Sequence, residues 1–254
     1  MEAHQPSFQT HKKNWKEYFL ESLMLFLAVS LGFFAENIRE DLSSKEREQM
    51  FMVAFVSDLA SDTIAINKRL PTNHKRVLAI DSILAYYSTH PYDNKISGWL
   101  YKQMNRASWG STYTRNTTTL DQLRNSGGQI IIRNKAISDS IAAFNYSWER
   151  SNYYYNTYLL YQDRLHTSLE KMVSSKNLLS YYVKHTAYSN YENFPDTLTV
   201  KINPEQLNEY LNFLSRQKWT TQQDDSSHVR IKLKTIKLIE MIKTAYHLKS
   251  EQTH

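Results

Sequence analysis

The residue types of this chain argue first against thiol chemistry and metal binding. The chain contains no cysteine, which removes disulfides, thiolate ligands and cysteine nucleophiles together. Its nine histidines are scattered, and no His-Glu-x-x-His sequence places two of them on one face of a helix. We therefore predict no metal site, no bound cofactor and no enzymatic activity.

Two short polar sequences come closer to known motifs, and both have simpler interpretations. A Ser-Gly-Gly sequence at 126–128 lacks the lysine of a phosphate-binding loop and is typical of a helix end, where glycine adopts a left-handed conformation. Asp224 and Asp225 are adjacent in a polar run at 222–227. We interpret this run as a solvated loop between two helices, and not as a carboxylate pair for acid–base catalysis.

Tyrosines are concentrated in two parts of the chain, at 153–161 and at 181–191. A tyrosine side chain combines a rigid apolar ring with a polar tip, which suits the interface between proteins. It also suits the core between helices, with the hydroxyl reaching the edge, and both interpretations stay open. The residues of this candidate partner surface are Tyr153, Tyr154, Tyr158, Tyr161, Tyr181 and Tyr182.

The first element that must position these residues is an apolar stretch at 18–35, in which Glu21 is the only charged residue. As a helix with about 1.5 Å rise per residue, this apolar stretch is roughly 27 Å long, close to the roughly 30 Å hydrocarbon core of a bilayer. Trp15 and Tyr18 stand at its start, where amphipathic rings favour the headgroup layer. These features predict a membrane span with two aromatic interface anchors.

Two other interpretations of the apolar stretch are weaker. A cleaved signal peptide needs small residues at its cleavage site, but the bulky Phe33 and Phe34 stand there. A buried helix of a soluble protein usually carries a polar stripe, and none occurs between Leu23 and Ala35. We therefore favour an uncleaved signal anchor. The predicted organisation is a short N-terminal tail at 1–17, a transmembrane helix at 18–36 and a mostly helical soluble domain at 37–254.

Small residues within the span suggest that copies of it associate. Ala28 and Gly32 are four residues apart and lie on one helix face, and this spacing lets two membrane helices approach closely. Glu21 lies one turn inside the span, where a carboxylate can reach the interface or face the interior of an oligomer. We assign Glu21, Ala28 and Gly32 to the predicted oligomer face.

The rest of the chain has few turn residues, because only five glycines and five prolines occur in 254 residues. Few turns predict few, long helices. The helix that continues from the span is expected to break or kink at Pro71, which removes a backbone hydrogen bond. Asn134 is a candidate N-cap of a long helix, and Asn203 with Pro204 begins another.

The C-terminal third is expected to contain more than one helix. The helix after Asn203 should end near Arg216, and the last helix should begin near His228, after the loop at 222–227. Alternating β-branched residues at 196–202 predict at most a short extended segment. The predicted fold class is therefore mainly α, with one N-terminal transmembrane helix that continues into a helical bundle.

Two blocks of residues carry a resemblance to a known family. The first block consists of Trp15, Glu21 and Asn37-x-Arg39. The second block consists of Leu120-x-x-Leu123-x-x-Ser126-Gly127, Ile132-x-Asn134 and Tyr146. Together they resemble an uncharacterised family of single-pass membrane proteins common in Bacteroidota, a domain of unknown function. The span here is rich in Leu and Phe where the family tends to Ile and Val, and the aromatic residue that often closes the family's span is missing. The resemblance implies a membrane anchor and a helical extracytoplasmic domain, and no activity.

The charges near the span leave its orientation balanced, since Lys and Arg are equally frequent on its two sides. The downstream flank is rich in acids, which favours a cytoplasmic tail and a periplasmic domain on a bacterial inner membrane. The net charge of +6 is spread along the chain without a run of five like charges, so we predict no nucleic-acid partner. The predicted partners are the lipid bilayer, further copies of the chain, and other membrane or periplasmic proteins.

These features predict a membrane-anchored binding or scaffold protein, an oligomeric accessory subunit of a bacterial envelope complex. One alternative is a periplasmic ligand sensor, although no second span leads to a cytoplasmic output domain. Another alternative is a pore formed by several N-terminal spans, with Glu21 facing the lumen.

Overall fold

The computed structural model of the protein describes residues 14–125, 132–173 and 199–248. In these ranges the protein is mainly helical, which confirms the predicted class at that level. The chain forms two compact units, Met1–Phe51 and Met52–His254. Predictions that fall on Tyr181, Tyr182, the Ser-Gly-Gly sequence, and most of the N-terminal tail lie outside the described residues.

Helix α1, Trp15–Thr89, supplies the described part of the first unit and the beginning of the second. The prediction of a helix that continues beyond the apolar stretch is confirmed. Of the expected break or kink at Pro71, the break is wrong, because Pro71 lies inside α1. Arg69 and Asn73, on either side of the proline, bond to residues more than 150 positions away in the chain. These bonds hold both sides of α1 in place, so the loss of one backbone hydrogen bond does not end the helix.

A short two-stranded sheet and two short helices follow α1. Strand β1, Lys95–Ser97, leads directly into helix α2, Gly98–Ser108, and the Ser97 hydroxyl caps α2 by accepting from the Leu100 backbone N–H. Helix α3 is Thr118–Asn125. Strand β2, Thr199–Lys201, pairs with β1 in antiparallel register, with Ile96 opposite Val200. The described part of the predicted extended segment is therefore a strand.

Two long helices complete the described fold. Helix α4, Lys135–Met172, begins at the predicted N-cap, since the Asn134 side chain accepts from the Ile137 backbone N–H. Helix α5, Pro204–Ala245, begins as predicted, with Asn203 as N-cap and proline in the first turn. The two helices are antiparallel, because Ser147 contacts Lys234 and Ser151 contacts Ser227.

The predicted helix end near Arg216 and the predicted loop at 222–227 are both wrong, because one continuous helix covers this region. Three polar side chains of this run, those of Asp224, Asp225 and Ser227, have partners on neighbouring helices. Asp225 accepts from the Asn73 amide at 2.7 Å, and Ser227 bonds to Ser151 at 2.8 Å. With the polar groups satisfied from outside, nothing opposes helical backbone in this segment.

The main hydrophobic core joins α2 and the two strands with the end of α1, the end of α4 and the start of α5. Leu100 and Met104 of α2 are fully buried there. A second set of buried apolar residues lies where the start of α4 meets the end of α5. Its members are Ile137, Ile141, Phe144, Trp148, Ile231, Leu238 and Ile242.

Candidate functional site

The apolar stretch of α1 exposes its large side chains. Leu25, for example, is 68% exposed, and none of the most apolar window is buried in the protein. In the part of the chain that the structure describes, α1 is the one helix long and apolar enough to cross a membrane. Trp15 stacks on Phe19 at the start of the stretch, with ring centroids 6.2 Å apart. These features are compatible with a single-pass membrane protein.

The predicted oligomer face is free of clashes within the chain. Ala28 and Glu21 are exposed, and a Cβ atom added at Gly32 would have no neighbour within 4 Å. A larger side chain at Gly32 would therefore disturb only a contact with another molecule. The association of these faces stays a prediction.

The second unit contains a buried charge layer, which consists of Arg69, Arg76, Tyr158, Asp224 and His228. Arg69 is 1% exposed and Asp224 is 0% exposed, and Arg69 Nη2 donates to Asp224 Oδ2. Arg69 Nε also donates to the Ser111 carbonyl at 2.9 Å. Burial disfavours the charged form of Arg69, but the Asp224 carboxylate outweighs it, so the pKa of Arg69 lies above its usual value.

The tautomer of His228 follows from its neighbours. Its Nδ1 lies 3.0 Å from Arg69 Nη1, 2.9 Å from the Asp224 carbonyl oxygen and 3.3 Å from Asp224 Oδ1. A guanidinium can only donate, so we assign His228 Nδ1 as the acceptor and place the ring proton on Nε2. This assignment agrees with Asp224 Oδ1, which has no hydrogen-bond partner among the described residues.

Arg76 forms the other half of the buried charge layer, and none of the described residues places a carboxylate beside it. Arg76 donates to the Ala107 carbonyl at 2.6 Å and to the Tyr158 hydroxyl at 2.9 Å. Burial lowers the pKa of Arg76. Gly110 lies directly against this pair, since a Cβ atom there would overlap Arg76 Nη1 and the Tyr158 hydroxyl. The layer is closed to solvent, so its role is to join α1, α4 and α5.

The tyrosines of α4 divide between core and surface. Tyr158 is 0% exposed and stacks on Tyr155, so Tyr158 belongs to the buried charge layer and the prediction that it contributes to a partner surface is wrong. Tyr153 is 71% exposed and meets Tyr154 edge to face. Tyr161 is half-buried. The described remainder of the candidate partner surface is therefore Tyr153, Tyr154 and Tyr161.

A cationic cleft of about 340 Å³ lies between α4 and α5, within the usual size of small-molecule sites. Three cations line it, and none of its described lining residues is acidic. Arg150 and Arg230 have no acidic partner among the described residues, whereas Lys234 Nζ donates to Ser147 Oγ at 2.7 Å. The lining residues are Tyr146, Ser147, Arg150, Ser151, Tyr154, Ser227, Arg230, Ile231 and Lys234.

An apolar cleft of about 320 Å³ adjoins the cationic cleft, and Lys234 lines both. Its remaining lining residues come from the same two helices, nearer the start of α4 and the end of α5. The apolar cleft is lined by Ser140, Ala143, Phe144, Lys234, Lys237, Leu238 and Met241. A charged region and an apolar region thus follow one another along the α4–α5 groove.

No group of three or more metal-binding side chains occurs in the ranges that the structure describes. The residues that sequence reasoning missed are the charged partners of the buried charge layer and the arginines of the cationic cleft. Arg69 and Arg76 had one available signal, which is their seven-residue spacing on one face of α1. Arg150 and Arg230 had none, because they lie on different helices.

Comparison of the chain with protein-family models, with curated proteins and with solved structures found no match. The features of the chain that bear on its function are the apolar stretch and the groove between α4 and α5.

Proposed function

We propose that this protein is a membrane-anchored binding protein of a bacterial envelope, with a cytoplasmic N-terminal tail and a periplasmic domain. The observation that carries the proposal is the exposure of the apolar stretch along its whole length. Soluble monomers rarely expose contiguous apolar patches of more than a few hundred Å². A bilayer covers such a helix on all sides, and the helix satisfies its own backbone hydrogen bonds.

The domain acts by binding and not by catalysis in this proposal, as an accessory or scaffold subunit. In this proposal α1, α4 and α5 make up the helical bundle, and the buried charge layer joins them. The exposed rings of Tyr153 and Tyr146 give α4 a rigid surface for another protein. The oligomer face with Ala28 and Gly32 would bring copies of the chain together.

The topology can be tested with single cysteines, because the chain has no cysteine of its own. Ser7→Cys places a thiol in the tail, and Glu240→Cys places one on the exposed surface of α5. In spheroplasts, a membrane-impermeant maleimide should label Glu240→Cys and should label Ser7→Cys only after lysis. Labelling in the opposite order would show that the orientation is the reverse of the proposed one. Labelling of neither thiol before lysis would show that the domain is not in the periplasm.

Self-association can be tested at Gly32, where an added Cβ atom has none of the described residues within 4 Å. Gly32→Leu should convert a detergent-solubilised oligomer into a monomer, measured by light scattering after size exclusion. The control is Leu31→Ala, an equally exposed change beside it on the helix. An unchanged mass for Gly32→Leu would show that this face does not mediate association.

A ligand sensor is a second candidate, and the cationic cleft is the observation that favours it. A cleft lined by unneutralised arginines on the surface of a binding domain is suited to an anionic ligand. The pore alternative has no comparable support from the second unit.

A further inference from the structure

We propose that the groove between α4 and α5 binds a phosphate monoester with an alkyl chain, with the phosphate in the cationic cleft and the chain in the apolar cleft. The inference deepens the proposed function and rests on it in one respect only, since a bilayer-anchored domain lies close to a source of such amphiphiles. The groove itself belongs wholly to the second unit.

The charges of the cationic cleft define the head group. Arg150, Arg230 and Lys234 converge on one space without a carboxylate in its described lining. Three cations confined together repel one another, and an anion in the cleft relieves that repulsion. A phosphate dianion neutralises more of this charge than a carboxylate, and guanidinium forks match its oxygens in pairs.

A pair of serine hydroxyls that lines the cationic cleft adds a further donor. Ser151 Oγ and Ser227 Oγ are buried and lie 2.8 Å apart. Their bond uses one of the two hydroxyl protons, so the other proton is available to an acceptor. The Ser147 hydroxyl accepts from Lys234 and donates to the Ala143 carbonyl at 2.9 Å, so it offers no further proton. The cationic cleft therefore offers one neutral donor, from the Ser151–Ser227 pair, as well as its three charges.

The apolar cleft defines the rest of the ligand. It begins at Lys234, where the cationic cleft ends. Phe144 and Leu238 form its buried floor, and the apolar surface that stays accessible comes from Ala143 and Met241. A free phosphate ion would leave this apolar surface in water. An alkyl chain attached to the phosphate covers it and gains the free energy of burying apolar area.

The test measures the affinity of three probes for the full-length chain in phosphatidylcholine nanodiscs. The method is isothermal titration calorimetry, and the heat measured with empty nanodiscs is subtracted. The probes are octyl phosphate, inorganic phosphate and 1-octanol. Octyl phosphate should bind about tenfold or more tightly than either of the others, since it uses both clefts. Equal affinity for inorganic phosphate would overturn the assignment of the apolar cleft, and equal affinity for 1-octanol would overturn that of the cationic cleft.

Two variants assign the binding to the groove. Arg230→Gln should weaken octyl phosphate binding about tenfold, as expected for the loss of a charged hydrogen bond. Its matched control is Arg216→Gln, an exposed arginine on the same helix outside both clefts. Ala143→Phe fills the apolar cleft and should reduce octyl phosphate affinity to that of inorganic phosphate. An equal loss in Arg216→Gln would show unspecific charge attraction, which overturns the proposal.

Failure of this inference and failure of the proposed function give different results. The cysteine-labelling experiment described above, and extraction of the parent chain with alkaline carbonate, report on the anchor without any ligand. A chain that is anchored with a periplasmic domain but does not bind octyl phosphate would overturn the ligand alone. A chain that binds it through Arg230 but is not anchored would overturn the membrane assignment alone.

Discussion

The apolar stretch of α1 and the buried charge layer place their side chains in opposite ways. In the first, Leu25 is 68% exposed, whereas in the second, Arg69 is 1% exposed. Both placements are unfavourable in water, at about 25 cal/mol for each Å² of apolar surface left exposed and several kcal/mol for each buried ion. The difference teaches what each region requires. None of the most apolar window is covered by the described residues, which is compatible with a membrane span, whereas the buried charge layer finds its partners within the chain.

The largest effect is expected when charge enters the apolar stretch. Leu25→Asp with Val29→Asp adds two carboxylates to one helix face near its middle, at a cost of roughly 2.5–3.5 kcal/mol each in a membrane. The variant should be released by alkaline carbonate, while the parent chain stays with the membrane pellet.

The matched control for that change is Leu233→Asp, because Leu233 on α5 is 63% exposed, nearly as much as Leu25. It should leave the chain in the membrane pellet. If both variants behave alike, the apolar stretch is no more dependent on lipid than an ordinary exposed leucine.

The next largest effect is expected when one partner of the buried charge layer is removed. Asp224→Leu leaves Arg69 charged and buried, which should reduce the free energy of unfolding by about 3–5 kcal/mol. The double variant Arg69→Met with Asp224→Leu should recover much of the loss. Urea unfolding in detergent, followed by tryptophan fluorescence, measures both.

The control for the buried pair is the exposed pair Lys135–Asp139, which joins two side chains 3.0 Å apart on the surface of α4. Asp139→Leu should change the free energy of unfolding by no more than about 1 kcal/mol. A loss as large as that of Asp224→Leu would remove the distinction between buried and exposed charge in this protein.

An intermediate effect compares one glycine from each region. Gly110→Ala forces a methyl group against Arg76 and Tyr158, and overpacking of this kind costs about 1–3 kcal/mol. Gly32→Ala meets nothing and should leave the unfolding of the second unit unchanged. The same urea titration measures both variants. If Gly110→Ala leaves the free energy of unfolding unchanged, the side chains of Arg76 and Tyr158 can shift to make room for the methyl group at little cost.

The smallest effect concerns pH at the edge of the buried charge layer. Burial raises the pKa of Asp225, so the folded state holds its proton more tightly than the unfolded state. This contribution to stability is complete below the ordinary aspartate pKa of about 4 and is lost as pH rises through the raised value. Asp225→Asn keeps the neutral form and an oxygen to accept from Asn73.

The stability gain of Asp225→Asn over the parent chain should therefore grow as pH rises from about 4 and then become constant. Urea unfolding at a series of pH values measures it. A gain that shrinks as pH rises would mean that the charged form of Asp225 is the favoured one in the folded state.

Local features were predictable from the sequence alone. The apolar stretch is a run of adjacent residues, so its composition shows its character without any knowledge of the fold. The N-caps Asn134 and Asn203 act on backbone groups two or three residues away, and both helix starts are where the sequence places them. Few glycines and prolines likewise predict long helices, and α1, α4 and α5 are long.

Tertiary structure alone decided the rest, because the partners are distant in the chain. The sequence predicts that Asp224 is solvated. In the structure, Arg69, which lies 155 positions earlier in the chain, is bonded to it. The sequence likewise predicts that Pro71 breaks or kinks the helix. The bonds of Arg69 and Asn73, on either side of the proline, are visible only in the tertiary structure. The cationic cleft exists only because α4 and α5 bring together Arg150 and Arg230. Hydropathy and capping depend on neighbours in sequence, whereas charge burial and binding clefts depend on neighbours in space.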